Sequence, residues 1–237
     1  MSLVATQRIL VRRSVRGLWP HLPLLMAGSV AVCLSACVAA LVAPGATPLS
    51  VLLLAVLVTP AATAIGAVAN AVVGQDDAGL ADWRLGWAAG VRHGIAAVIP
   101  VAIAGALFVV AVEVWRRSGQ PLLLASIGVS GAVTACLVPV TAAMVQLTTG
   151  VPAADRRTQW RMAAGFVARW PVRFLAAPVL LGFGAWLAIQ VSASVLLLVP
   201  APVALVSAAA FWTSAVETGL LSIDETTEND VLERESA

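Results

Sequence analysis

The chain has 237 residues, 60% hydrophobic and 11% charged, with a mean hydropathy of +0.96. A soluble domain carries about a quarter charged residues, so the composition excludes a single water-soluble core and reads as an integral membrane protein. The net charge of +2 carries no nucleic-acid signal. All fourteen basic residues are arginine, and the lack of lysine excludes Schiff-base lysine chemistry and a Walker-type phosphate lysine.

In chain order, the segment QRILVRRSVRGLWP carries Arg8, Arg12, Arg13 and Arg16 and leads into a first apolar run over 22–43. That run is too long for a signal-peptide core, and LVAPGATP offers no small-x-small cleavage site. Cys33 and Cys37 lie in it on one helix face. With Cys136 they read as small hydrophobes rather than metal ligands. The uncharged joint APGATPLS leads to a second run, 50–74, with Pro60 and the evenly spaced Gly66, Asn70 and Gly74.

The next joint, 75–93, contains ADWRLGWAAGVRHG. It predicts a short interfacial helix with Leu80, Trp83, Trp87 and Val91 buried in the headgroup region and Arg84 and Arg92 reaching phosphates. A third run covers 94–115 and ends near Glu113, which precedes Arg116 and Arg117 by three and four residues. This is an ion-pair spacing on a helix. The fourth run, 121–149, has Pro139, Ala142 and Gln146, with Gly150 just beyond it. The joint 150–173 holds Arg156, Arg157, Arg161, Arg169 and Arg173. The fifth and sixth runs, 174–191 and 194–216, are separated by the short joint QVSAS. Pro200 and Pro202 lie in the sixth, and Glu217 at its end. Residues 221–237 form an acidic tail predicted to be disordered and cytoplasmic.

Six runs near the ~20 residues a spanning helix needs predict an all-α, six-span protein. Twelve arginines fall at one side and only Arg116 and Arg117 at the other. The positive-inside rule then places both termini in the cytoplasm of a multi-pass inner-membrane protein. Trp19, Trp83, Trp87, Trp160 and Trp170 flank the inner ends, as an aromatic belt does.

Arg8 and Arg16, Arg84 and Arg92, and Arg161 and Arg169 are each eight apart, and the copies are offset by 76 and 77 residues. Ala142, Gln146 and Gly150 repeat Gly66, Asn70 and Gly74 at an offset of 76. The chain therefore divides into a membrane domain, 1–220, of three parallel helical hairpins (about 8–74, 84–150 and 161–217), each with an amphipathic cytoplasmic lead-in, followed by the tail. Parallel repeats relate by an axis along the membrane normal.

Polar groups within a bilayer are costly and mark candidate sites. Asn70, Gln146 and Glu217 are the candidates for a polar cavity, although an amide among small residues also bridges helices structurally. Glu217 has Arg169 or Arg173 as a possible partner. Arg16, Arg84, Arg92, Arg161 and Arg169 are candidates for headgroup binding or for docking a partner. His21 and His93 are interfacial and stand beside no nucleophile motif. No metal spacing, phosphate-cradling loop or cofactor motif is present, and the expectation is a protein without enzymatic activity or cofactor.

The stretches LVTPAATAIGAVANAVV and WRLGWAAGVRHGIAAVI resemble the YesL-like family of bacterial membrane proteins, over about 8–220 of the chain. Tryptophan, glycine or alanine stands where that family has phenylalanine. The family has no settled activity, and its members are commonly encoded beside carbohydrate ABC-transporter genes. The resemblance implies an accessory or scaffold subunit of a transport system, with ABC-transporter subunits or another membrane protein as partner, besides membrane lipids. The alternative is a small transporter or channel with a polar cavity between the hairpins. A continuous polar cavity would favour the transporter; a filled centre with an exposed small-residue groove would favour the subunit.

Overall fold

The computed structural model describes the backbone of residues 3–75, 78–151 and 155–221, and the side chains from Trp19 onward apart from Gln75. The described residues contain no strand. Among the described residues eight α-helices follow one another: α1 Leu3–Val42, α2 Pro48–Gln75, α3 Leu80–Ala89, α4 Ile95–Ser118, α5 Leu122–Gly150, α6 Arg156–Arg169, α7 Pro171–Gln190 and α8 Pro200–Glu217. A π-helical turn, Gly90–Gly94, joins α3 to α4, and a 3-10 turn, Ala193–Leu197, precedes α8. Six helical segments among the described residues are long and apolar enough to cross a membrane. Leu41, Leu122, Val172 and Ile189 are each at least 80% exposed. That is the surface of a protein solvated by hydrocarbon rather than water.

The three second helices, α2, α5 and α8, touch pairwise and form the centre. Each first helix packs against two of them: α1 against α2 and α8, α4 against α5 and α2, and α7 against α8 and α5. The contacts are cyclic, so the third hairpin closes onto the first. Gly66 faces Val145 and Gln146, while Asn70 reaches Gln146 and Thr149. The helices α2 and α5 therefore run parallel. The lead-in segments follow the same logic, α3 packing on α2 and α6 on α5.

Sequence explains which helix is innermost. From Ala61 to Val73 every residue of α2 except Ala62 is buried. Small residues fill most of that stretch, and small side chains let several neighbouring helices pack closely around one. Around it pack Leu25 of α1, Trp83 of α3 and Ala201, Ala204 and Ala208 of α8. A second cluster joins α5, α6, α7 and α8 around Phe166, Phe174 and Phe211. The rings of Phe166 and Phe174 lie 6.3 Å apart and stacked, and Phe211 meets Phe166 edge-on at 6.4 Å.

The lead-ins differ from the expectation of separate interfacial helices. The 40 residues of α1 are one helix, about 60 Å long, and α3 continues through the π turn into α4 without a break. Only α6 is separated from its span, at Trp170. On α3, one of the four residues expected to face the headgroups, Trp83, is placed otherwise. Gly86, Gly90 and Gly94 lie against α2, where an added Cβ would meet Ala64 and Ala67, Pro60 and Thr63, and Thr59 and Thr63 respectively. Leu80, Trp87 and Val91 are exposed, and Trp83 turns into the core beside Gly28. Glycines let two backbones approach, so the smallest residues, not the largest, determine the face. Pro200 and Pro202 occupy the first turn of α8 and do not kink it, because no intrahelical donor is lost there.

Candidate functional site

At the arginine-rich end, a cleft of about 530 Å³ opens between α2, α3 with its π turn, α5 and α8. Asn70, Asp82, Arg92, His93, Thr149 and Trp212 supply its polar lining. The cleft exists because the glycine contacts hold α3 against α2, while Thr148, Thr149 and Gly150 end α5 alongside. The π turn adds a residue to the helical repeat where Arg92 and His93 sit, and both line the cleft. Such turns re-aim side chains and recur at functional sites.

Asn70 forms the floor. Its Nδ2 donates to the Thr149 hydroxyl at 2.7 Å and to the Gln146 carbonyl at 3.2 Å. Thr149 in turn donates to the same Gln146 carbonyl at 3.2 Å. Asn70 and Gln146 are 6% and 2% exposed, and neither Asn70 Oδ1 nor Gln146 Oε1 has a hydrogen-bond partner. The Trp212 indole N–H is also buried and unpartnered. Buried polar atoms without partners are uncommon and need a reason.

On the far side of the amides lies a second cavity of about 250 Å³, lined almost wholly by apolar residues including Val58, Ile65, Val145 and Leu181, with Gln146 and Ser207 as its polar members. Asn70 lines the first cavity and Gln146 the second. The two amides that the repeat pairs at an offset of 76 thus sit side by side and divide a polar cleft from an apolar chamber.

Glu217, grouped with them by sequence, is elsewhere. Its Oε1 accepts from Arg173 Nη2 at 2.8 Å, tying the end of α8 to the start of α7. Of the two arginine partners considered, Arg173 takes the role, while Arg169 stacks on Trp170 at 4.8 Å. Arg169 borders a separate open hollow with Met162, Phe166 and Leu220. Arg84 and Arg161 are exposed. Arg16 lies outside the described side chains, as do Arg8, Arg12 and Arg13, and the acidic tail from Ser222 lies outside the described residues. Glu113 pairs with Arg117 at 2.7 Å at the opposite end. Cys33 donates to the Leu196 carbonyl at 3.2 Å. Among the described residues no three His, Cys, Asp or Glu side chains gather as a metal site would require.

Four lining residues escaped sequence reasoning as site members: Asp82, His93, Thr149 and Trp212. Thr149 carried a signal, since it follows Gln146 by three residues and shares its face. Asp82 accepts the Gly79 N–H at 2.9 Å, so a helix-start role conceals its second oxygen. Compared with known proteins, the chain matches no family model, no curated protein and no solved structure.

Proposed function

We propose that the protein is a non-catalytic accessory or scaffold subunit of a membrane transport system. The observation that carries this reading is the outer half of α5. Its apolar window is the least buried of the six spans. Ala125, Gly128, Ala132 and Cys136 are exposed there, and a Cβ built at Gly128 would meet nothing within 4 Å. Small residues at three- and four-residue spacing form a surface onto which a second transmembrane helix packs. The proposed occupant is therefore a spanning helix of a transporter permease. The YesL-like resemblance supports a carbohydrate ABC transporter as the assembly. The arginine asymmetry supports an inner-membrane location with both termini, and the cleft, on the cytoplasmic side.

The alternative reading, a small transporter, draws on the polar cleft. Against it stands the amide floor, beyond which the path becomes apolar. The test is purification of the tagged full chain from native membranes beside a Gly128→Leu, Ala132→Leu variant, whose new side chains face outward. Permease subunits should co-elute with the parent in fixed ratio and be lost from the variant. Isolation of both proteins without a permease would overturn the subunit reading.

A further inference from the structure

The cleft at the arginine-rich end pairs unmet acceptors with unmet donors, and it is independent of the α5 surface. On one side, Asn70 Oδ1 is buried without a partner and Asp82 has one carboxylate oxygen beyond that used by Gly79. On the other, Arg92 and His93 line the cleft as exposed side chains with no ion-pair or hydrogen-bond partner among the described residues, and the Trp212 N–H is buried and unpartnered. Anions alone would meet Asp82 and an amide oxygen; cations alone would meet Arg92. Juxtaposing like charges is strongly unfavourable. A group carrying both signs meets neither penalty.

We propose that the cleft binds a zwitterionic ammonium–phosphate group, a primary ammonium linked by a short chain to a phosphate. The ammonium donates to Asn70 Oδ1 and Asp82, and the phosphate accepts from Arg92 and His93. A primary ammonium is required because it has N–H bonds to donate, which a quaternary one lacks. Asp82 and Arg92 are ten residues apart, about 15 Å along an ideal helix. Side chains lean toward the helix N-terminus, and the longer arginine leans further, which shortens the gap. The volume, about 530 Å³, lies within the ~300–1,000 Å³ of small-ligand sites. The same chemistry belongs to an ethanolamine phospholipid headgroup and to free phosphoethanolamine.

The experiment is calorimetric titration of the detergent-purified full chain with dioctanoyl phosphatidylethanolamine, its phosphatidylcholine and phosphatidylglycerol counterparts, and free phosphoethanolamine. Binding of the ethanolamine lipid should exceed that of the choline and glycerol lipids by about tenfold or more, the factor that ~1.4 kcal/mol sets. Asp82→Asn, which keeps an oxygen for Gly79, and Arg92→Gln, at an exposed position, should each weaken it by about tenfold, as loss of a charge-assisted bond does. Both should melt within about 2 °C of the parent, since surface changes are usually small in stability. Binding of the lipid alone identifies a headgroup site; equal binding of free phosphoethanolamine identifies a soluble ligand. Either sustains the proposal. It is overturned if neither binds the parent, if the choline or the glycerol lipid binds as tightly as the ethanolamine lipid, or if either variant binds like the parent.

Discussion

The Arg173–Glu217 pair and the Asn70 network show how differently two polar contacts can act at the same end of the bundle. Glu217 is largely buried, at 12% side-chain exposure, and pairs with Arg173. Its removal leaves a guanidinium whose Nη1 already lacks a partner. Glu217→Gln should therefore destabilise the protein by about 1.5–3 kcal/mol, the range for hydrogen bonds to charged groups. A double-mutant cycle with Arg173→Gln in thermal unfolding should return most of that loss as coupling. Independent losses from the two substitutions would show that the pair carries no such energy. Asn70 makes two bonds and leaves one oxygen idle. Asn70→Ala should cost only about 0.6–2 kcal/mol, the range measured for polar contacts between helices in membranes, and Thr149→Val should cost less than that. A loss above ~4 kcal/mol at Asn70 would mean that the amide does more than bridge α2 and α5.

At the scale of elements, the contact between α3 and α2 is decided by three glycines. A Cβ at Gly86 would stand 2.6 Å from the Ala67 Cβ and 2.9 Å from the Ala64 Cα and the Thr63 carbonyl oxygen. Backbone atoms cannot swing aside, so α3 itself must move. Replacing glycine in a helix gains up to about 1 kcal/mol in propensity, whereas overpacking costs about 1–3 kcal/mol. Gly86→Val, with a poorer propensity and two further methyls, should therefore be destabilising, by about 2–4 °C for each kcal/mol in a chain of this length. Gly128→Val, on the open face of α5, should leave the melting temperature of the isolated protein within about 1–2 °C of the parent. Equal effects at the two sites would refute the packing assigned to α3. Phe211 joins the third hairpin to α6 and is fully buried. Phe211→Ala should cost about 3–5 kcal/mol.

For the whole molecule, orientation is the prediction with the widest reach. The joints before α2 and α8 are uncharged, and the joints before α3 and α6 lie at the arginine-rich end. In a background with the three native cysteines replaced by alanine, single cysteines at Thr47 and Ser192 should label with an impermeant maleimide from outside, and one at Asp77 should label only after permeabilisation. Outside labelling at Asp77 would reverse the orientation and place the cleft on the external face. The cyclic packing makes a further demand. Each hairpin contacts both others, so deletion of α7 and α8 should destabilise the remaining pair rather than release an independently folded unit, as a strict linear array would.

Hydropathy alone located the six spans, because burial in hydrocarbon imposes long apolar runs that no other environment requires. The 76-residue offset marked Asn70 and Gln146 as equivalent positions of a repeat, without showing that they would meet, and helical spacing put Glu113 within reach of the arginines one turn on. Helical spacing is a property of the chain itself. Tertiary structure decided what chain distance does not encode. It turned Gly86, Gly90 and Gly94 toward α2, because close approach of two backbones is favourable only where both offer small atoms. It separated Glu217 from the amides by giving it Arg173, a choice among several arginines made by position in space. It closed the third hairpin against the first, and so brought Asp82, Arg92 and Trp212 from α3, the π turn and α8 around one cleft.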